Sequence, residues 1–214
     1  MRTLRWSDYA TTDLLEKELQ KGAVVLGDGD TVLGLLADVS LKGVAKLDHI
    51  KKRFKKPYLV LVHDHKKALN LIDYDEKQFF QIEKLMNICW PGPVTIIFKA
   101  KRTLPAFMKA EDGTIALRVP DHVPLLQLLE RFDGLFSTSA NSSGQDCPRT
   151  IEQVDEDILH DVSCIVRNDV HEDAHGALPS TIIDCSMGNS VRVVRQGVFE
   201  IGQLSDIFGN KCIE

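Results

Sequence analysis

"TIALRVPDHVPLLQLLERFDGLFSTSANSSG", Thr114 to Gly144, decides the fold of this chain. Its first part, "TIALRV", is a short apolar run of strand length that carries Arg118 and stops at Pro120. "VPLLQLLERF" follows, opened by Pro124 and packed with leucines, and reads as a helix. "GLFSTS" is again a strand, after which Ser137, Thr138, Ser139, Asn141, Ser142 and Ser143 crowd together ahead of Gly144. Strand, helix and strand in direct succession are the unit of an α/β sheet. Hydroxyl and amide groups at the end of an apolar strand stand where such sheets hold ligands.

The alternation continues on both sides of this stretch. Upstream, "TTDLLEKELQKG" is predicted as a helix with Leu14, Leu15 and Leu19 and a closing Gly22, and "AVVL" (23–26) as a buried strand. "GDGDTVLG" has the composition of a turn, "KGVAKLDHIKKR" that of a helix, and "YLVLV" (58–62) that of a second buried strand. "DEKQFFQIEKLMNICW" is an amphipathic helix halted by Pro91-Gly92-Pro93, and "VTIIFKA" a strand. Downstream, "SCIVRN", "STIIDCS" and "SVRVVRQ" are strands and "GQLSDIF" a closing helix. The expectation is one α/β domain over residues 1–214, with about eight strands, five or six helices and antiparallel final strands.

Composition narrows the function classes. Of 214 residues, 43% are hydrophobic and 27% charged, the balance of a soluble globular protein whose core needs no disulfide. No apolar run approaches the ~20 residues of a membrane span, and the N-terminus lacks a secretory pattern. Five widely spaced cysteines without a CxxC pair fit a reducing compartment, so a cytoplasmic location is expected. The net charge of -5 argues against a general polyanion binder, yet "KKRFKK" (51–56) is a local basic patch suited to one anionic ligand.

Several groups are candidates for chemistry. The serine-rich stretch offers donors and acceptors for phosphate, ribose or base, or it caps a helix. Arg118 and Arg195 each follow an apolar strand, where a guanidinium fork can hold a carboxylate or phosphate bidentately, or snorkel to solvent. Lys51 to Lys56 is either a solvated helix end or a polyphosphate clamp. "GDGDTVLG" contains Thr31 but lacks the Gly-Lys-Ser/Thr of a phosphate loop. "HEDAH" (171–175) matches the HExxH zinc pattern without the helical periodicity that chemistry needs, and His63 and His65 around Asp64 offer little support for a metal. Neither a nucleophilic triad nor a metal-ligand set can be assigned.

Taken in order, "DTVLGL", "KKRFKKP", "WPGPVTIIF", "IALRVPDH", "STSANSSG", "PSTIID" and "VRVVRQG" resemble the YrdC family of L-threonylcarbamoyladenylate synthases. The resemblance spans about residues 12 to 205 and implies a twisted sheet of mixed parallel and antiparallel strands, flanked by helices, with a concave basic groove. It implies the family reaction: L-threonine, bicarbonate and ATP, with Mg²⁺, give threonylcarbamoyl-AMP and pyrophosphate for a separate transferase that modifies tRNA. On this resemblance Thr31, Arg118 and Ser180 would bind L-threonine. Lys51 and Arg53 would face the ATP phosphates, Ser139 and Asn141 would contact nucleotide, and Arg195 would close over it. The chain departs from the family's pattern at Asp28-Gly29 (Pro-Thr), Leu33 (Tyr) and Phe54 (Pro). Two other functions share the fold: a binding protein whose groove holds tRNA or ribosomal RNA, and a related adenylating or carbamoylating enzyme with another acceptor. The absence of evident stacking platforms weighs against a pure RNA binder.

Overall fold

Both faces of the sheet are covered, and the apolar runs alternate between them. The computed structural model describes residues 2–53, 56–168, 178–187, 191–202 and 204. Along them lie β1 (Arg2–Arg5), α1 (Thr11–Gln20), β2 (Val24–Gly27), β3 (Gly34–Asp38), α2 (Leu41–Lys51), β4 (Leu59–Leu61), α3 (His65–Leu69) and α4 (Glu76–Cys89). They continue with β5 (Val94–Lys99), β6 (Thr114–Arg118), α5 (Val123–Leu129), β7 (Leu135–Ser139), α6 (Glu156–Asp161), β8 (Cys164–Arg167), β9 (Thr181–Asp184) and β10 (Arg192–Arg195). Val24 and Leu26 of β2, Leu35 and Ala37 of β3 and Phe136 of β7 point into one core, with Leu47 and Ile50 of α2 and Leu85 and Met86 of α4. Val25, Leu36 and Leu135, their strand neighbours, point into a second core with Leu15 and Leu19 of α1 and Leu125 and Leu128 of α5. Successive strand residues face opposite sides, so a run such as "AVVL" is apolar throughout because helices lie over both faces.

The ten strands form one mixed sheet in the order β1-β8-β2-β3-β7-β4-β6-β5-β9-β10. Two of them, β1 and β3, are absent from the sequence reading: β1 is a short edge strand, and β3 begins at Gly34, inside the stretch read as turn. The expectation of antiparallel final strands holds only for β9 with β10. Strand β8 runs parallel to both β1 and β2, and β9 runs parallel to β5. These pairings join segments far apart in sequence, and local composition carries no signal for them. Two short helices were also unread. One is α3, where the Asp64 carboxylate accepts from the Lys67 N–H at 2.8 Å; the other is α6. "HEDAH" and, apart from 202 and 204, "GQLSDIF" fall outside the described residues.

Helix α2 carries Lys51 into the interior. The Ser40 side chain caps its start by accepting from the Gly43 N–H at 3.1 Å. A Cβ on Gly43 would lie 2.0 Å from the Asp38 carbonyl oxygen, so the glycine lets the helix close against the end of β3. The helix stops at Lys51 because Lys52 adopts a left-handed conformation, φ 48°. For a residue with a Cβ that conformation costs about 1 kcal/mol. No helix among the described residues is long and apolar enough to cross a membrane.

Candidate active site: a guanidinium corner and a clamped loop

Arg118, the last residue of β6, is only 5% exposed. Its Nη1 donates to Thr31 Oγ1 at 3.1 Å, and its Nη2 stands 3.1 Å from Asp30 Oδ1. Asp30 in turn accepts through Oδ2 from the Asp121 N–H at 2.9 Å, which ties the β2–β3 connection to the chain leaving β6. Burial pulls the Arg118 guanidinium below its ordinary range, and Asp30 opposes that pull. Among the described residues, Arg118 Nε has no hydrogen-bond partner and is shielded from solvent. A buried donor left unpaired costs about 1–3 kcal/mol, a cost that is offset when an acceptor arrives.

Ser180 and Arg195 complete this corner. Ser180 Oγ lies 2.9 Å from Thr95 Oγ1, and its carbonyl accepts from Arg195 Nε and Nη2 at 3.2 and 2.8 Å. Gly197 permits the approach, since a Cβ there would sit 2.1 Å from the Pro179 carbonyl oxygen. Burial, and repulsion from Arg118, lower the Arg195 pKa, while Cys147 raises it. Two guanidinium groups against the single carboxylate of Asp30 leave one positive charge in excess, the electrostatic setting for an anion.

The second half is the loop after β7. Ser139 pairs with Gly34 at the start of β3. Ser139 Oγ donates to Asn141 Oδ1, Asn141 Nδ2 donates to the Gln145 carbonyl, and Ser142 Oγ donates to Asp155. Lys51, 3% exposed, reaches into this loop from the end of α2. Its ammonium donates to the Ser139 carbonyl at 2.7 Å, to Asn141 Oδ1 at 3.0 Å and to the Asn141 carbonyl. Burial first, then Arg53, lower its pKa to about 8, while Cys147 and Asp155 act in the other direction.

Of the sequence-predicted residues, Thr31 is in direct contact with Arg118, Ser180 with Arg195, and Ser139 and Asn141 with Lys51. Arg118 contacts Thr31, Arg195 contacts Ser180 and feels Arg118, and Cys147 lies within electrostatic reach of both Arg195 and Lys51. Arg53 stands apart in its contacts: its guanidinium lies 4.2 Å over the Tyr58 ring and donates to the Pro57 carbonyl at 3.1 Å. Arg195 is tied to the Ser180 side rather than to the Ser139 loop. Four participants were not singled out from sequence: Asp30, Thr95, Cys147 and Asp155. Asp30 was within reach, because it opens "DTVLGL" directly before Thr31. Leu33, where the family has Tyr, is a core residue, 2% exposed. Asp28 accepts from the Asn168 N–H at 2.8 Å, and its carbonyl accepts from Trp6 Nε1 at 3.1 Å. His63 meets Asp64 and Glu130, and Asp64 is a helix cap.

Residues 17–197 match the Sua5–YciO–YrdC family model, described as telomere recombination. A Photorhabdus laumondii protein named threonylcarbamoyl-AMP synthase is 37% identical over 139 residues, covering 64% of this chain and 73% of the relative. A Vibrio vulnificus protein of the same name is 32% identical over 185 residues, covering 85% and 95%. The structure of P. abyssi Sua5 complexed with L-threonine superposes with a TM-score of 0.85 at 22% identity, a likeness of fold. That match covers 100% of this chain and 62% of the solved one.

Proposed function

Because the chain belongs to the Sua5–YciO–YrdC family, we infer that it is an L-threonylcarbamoyladenylate synthase acting on L-threonine, bicarbonate and ATP. The carrying observation is the buried cluster of Arg118, Thr31, Asp30 and Ser180, with the exposed Arg195 at its edge and one positive charge in excess, beside the Ser139–Asn141 loop. Arg118 holds an unspent Nε donor for the threonine carboxylate, and Thr31 and Ser180 supply hydroxyls to the same amino acid. The Ser139–Asn141 loop receives the nucleotide, with Arg53 and Arg195 neutralising phosphate charge.

In the reaction, threonine's amine takes up bicarbonate as a carbamate with loss of water. A carbamate oxygen then attacks the α-phosphorus of ATP as the bond to pyrophosphate breaks. Displacement at phosphorus is served by positioning and charge neutralisation, and this site offers cations and oriented dipoles rather than a protein nucleophile. Mg²⁺ enters as the counter-ion of ATP. Among the described residues no group of three His, Cys, Asp or Glu side chains comes together; Mg²⁺ on a nucleotide is held mainly by phosphates and water, with one or two carboxylates at most.

Transfer of the product to tRNA belongs to a separate transferase, and contact of this chain with RNA is a secondary reading. Pyrophosphate release from ATP, measured with and without L-threonine and bicarbonate, tests the assignment. Dependence on both substrates is expected. Salt-sensitive RNA binding without turnover would replace the synthase by the RNA-binding reading.

A further inference from the structure

An ammonium has three N–H donors and no acceptor, and in Lys51 all three are engaged by protein. Two go to backbone carbonyls, of Ser139 and Asn141, and one to Asn141 Oδ1. All three acceptors belong to the same short loop, and Lys51 lies at the end of α2, a different layer of the fold. Asn141 Oδ1 also accepts from Ser139 Oγ, so both of its lone pairs are taken, and one Nδ2 hydrogen goes to Gln145. Only the other Nδ2 hydrogen and the Ser139 Oγ lone pairs remain for a ligand.

A second lysine shows what this arrangement does. Lys67 of α3 donates to the carbonyls of Leu129, Glu130 and Phe132 and thereby fastens the end of α5, where cations complement the helix dipole. Lys51 makes the same three-acceptor figure at the end of a strand, where no helix dipole calls for it. Turning towards a phosphate would require the ammonium to withdraw from at least one half-buried acceptor of the loop.

We propose that Lys51 is a positioning residue, not a phosphate ligand: its saturated ammonium shapes the Ser139–Asn141 loop so that Ser139 and Asn141 can receive the nucleoside end of the nucleotide. The choice of nucleotide rests on the synthase reading; the clamp itself does not. The charged and titratable groups around the ammonium are Arg53, Cys147 and Asp155. Deprotonation would replace one donor by a lone pair aimed at an oxygen and open the clamp.

The test uses Lys51→Met and Lys51→Arg, each compared with the unaltered chain for binding of adenosine, AMP and ATP and for amide exchange in the loop. A phosphate ligand predicts a loss that grows with the number of phosphates, spares adenosine, and is rescued by arginine. The clamp predicts a loss of about tenfold or more that is equal for all three ligands and is not rescued, because a planar guanidinium cannot converge on three such acceptors. It also predicts at least about tenfold faster exchange at the amide of Gln145, which donates to the Ser142 carbonyl. Unchanged exchange, or a phosphate-graded loss, overturns the proposal. If the unaltered chain binds none of the three ligands, the synthase reading falls, while loop exchange still judges the clamp.

Discussion

Arg118 and Lys51 are both cations drawn into the interior, 5% and 3% exposed, and they are stabilised there in opposite ways. Arg118 is matched by a carboxylate, Asp30, and among the described residues its Nε donor is unspent. Among the described residues Lys51 has no carboxylate in its hydrogen-bond set and spends every donor on neutral oxygens of one loop. A guanidinium remains charged throughout the physiological range even when burial works against it. A buried ammonium loses its proton more easily, and here burial, then Arg53, lower the pKa to about 8. The Arg118 corner therefore presents a permanent charge, and the Ser139–Asn141 loop holds a shape that depends on one proton.

The largest effect should come from removing the permanent charge. Arg118→Ala deletes the proposed carboxylate anchor and leaves Asp30 buried without its counter-ion, which costs about 3–5 kcal/mol when one partner of such a pair is lost. Threonine-dependent pyrophosphate release is expected to fall at least about a hundredfold, with AMP affinity retained. Equal loss of AMP affinity would show that the two halves are not separable. Gly197→Ala should come next: the new Cβ meets the Pro179 carbonyl at 2.1 Å and displaces Ser180 and Arg195. The expected signature is a KM for threonine and a KM for ATP that rise together, each by about tenfold, because Ser180 faces the amino acid and Arg195 the phosphates in the proposed site.

On the loop side, Ser139→Ala removes the hydroxyl that donates to Asn141 Oδ1. A lost hydrogen bond of this kind weakens nucleotide binding by about 1 kcal/mol, readable by calorimetry, while threonine KM stays constant. The smallest effect, and the sharpest test of the contrast, is pH. ATP affinity should be level below about pH 8 and fall above it as the Lys51 ammonium loses its proton. Folding stability should respond with the opposite sign. The folded pKa of about 8 lies below the ordinary 10.5, so between these values the unfolded chain binds more protons. The contribution of Lys51 to stability therefore rises with pH across that window. An ATP affinity that stays flat to pH 10 would remove the proton-dependent clamp.

Helix α4 was legible because its apolar spacing and its Asp75–Gln78 capping box are local features. Strand β3 was not, because Gly27, Gly29 and Gly34 give its approach the composition of a turn. Only pairing with β2 on one side and β7 on the other makes 34–38 a central strand. In the site, Arg118, Arg195, Ser139 and Asn141 stood out as polar groups at the ends of apolar runs. Lys51 stood out too, but as one of five cations in "KKRFKK", with nothing in that run to set it apart from Lys52. Lys52 turns outward to Asp157 at 2.9 Å, while Lys51 turns in.

By itself, then, the sequence determined the layered α/β plan, the places where strands give way to polar loops, and the residue types able to hold an amino acid and a nucleotide. Those follow from periodicity and composition, which act over a few neighbouring residues. The tertiary structure alone decided that β8 enters between β1 and β2, that Asp30 neutralises Arg118, and that Lys51 is consumed by the loop it faces. Each of these depends on groups brought together across long stretches of chain: 87 residues from Thr31 to Arg118 and 88 from Lys51 to Ser139. The partner of a buried charge is chosen by packing in three dimensions, and no local pattern records it.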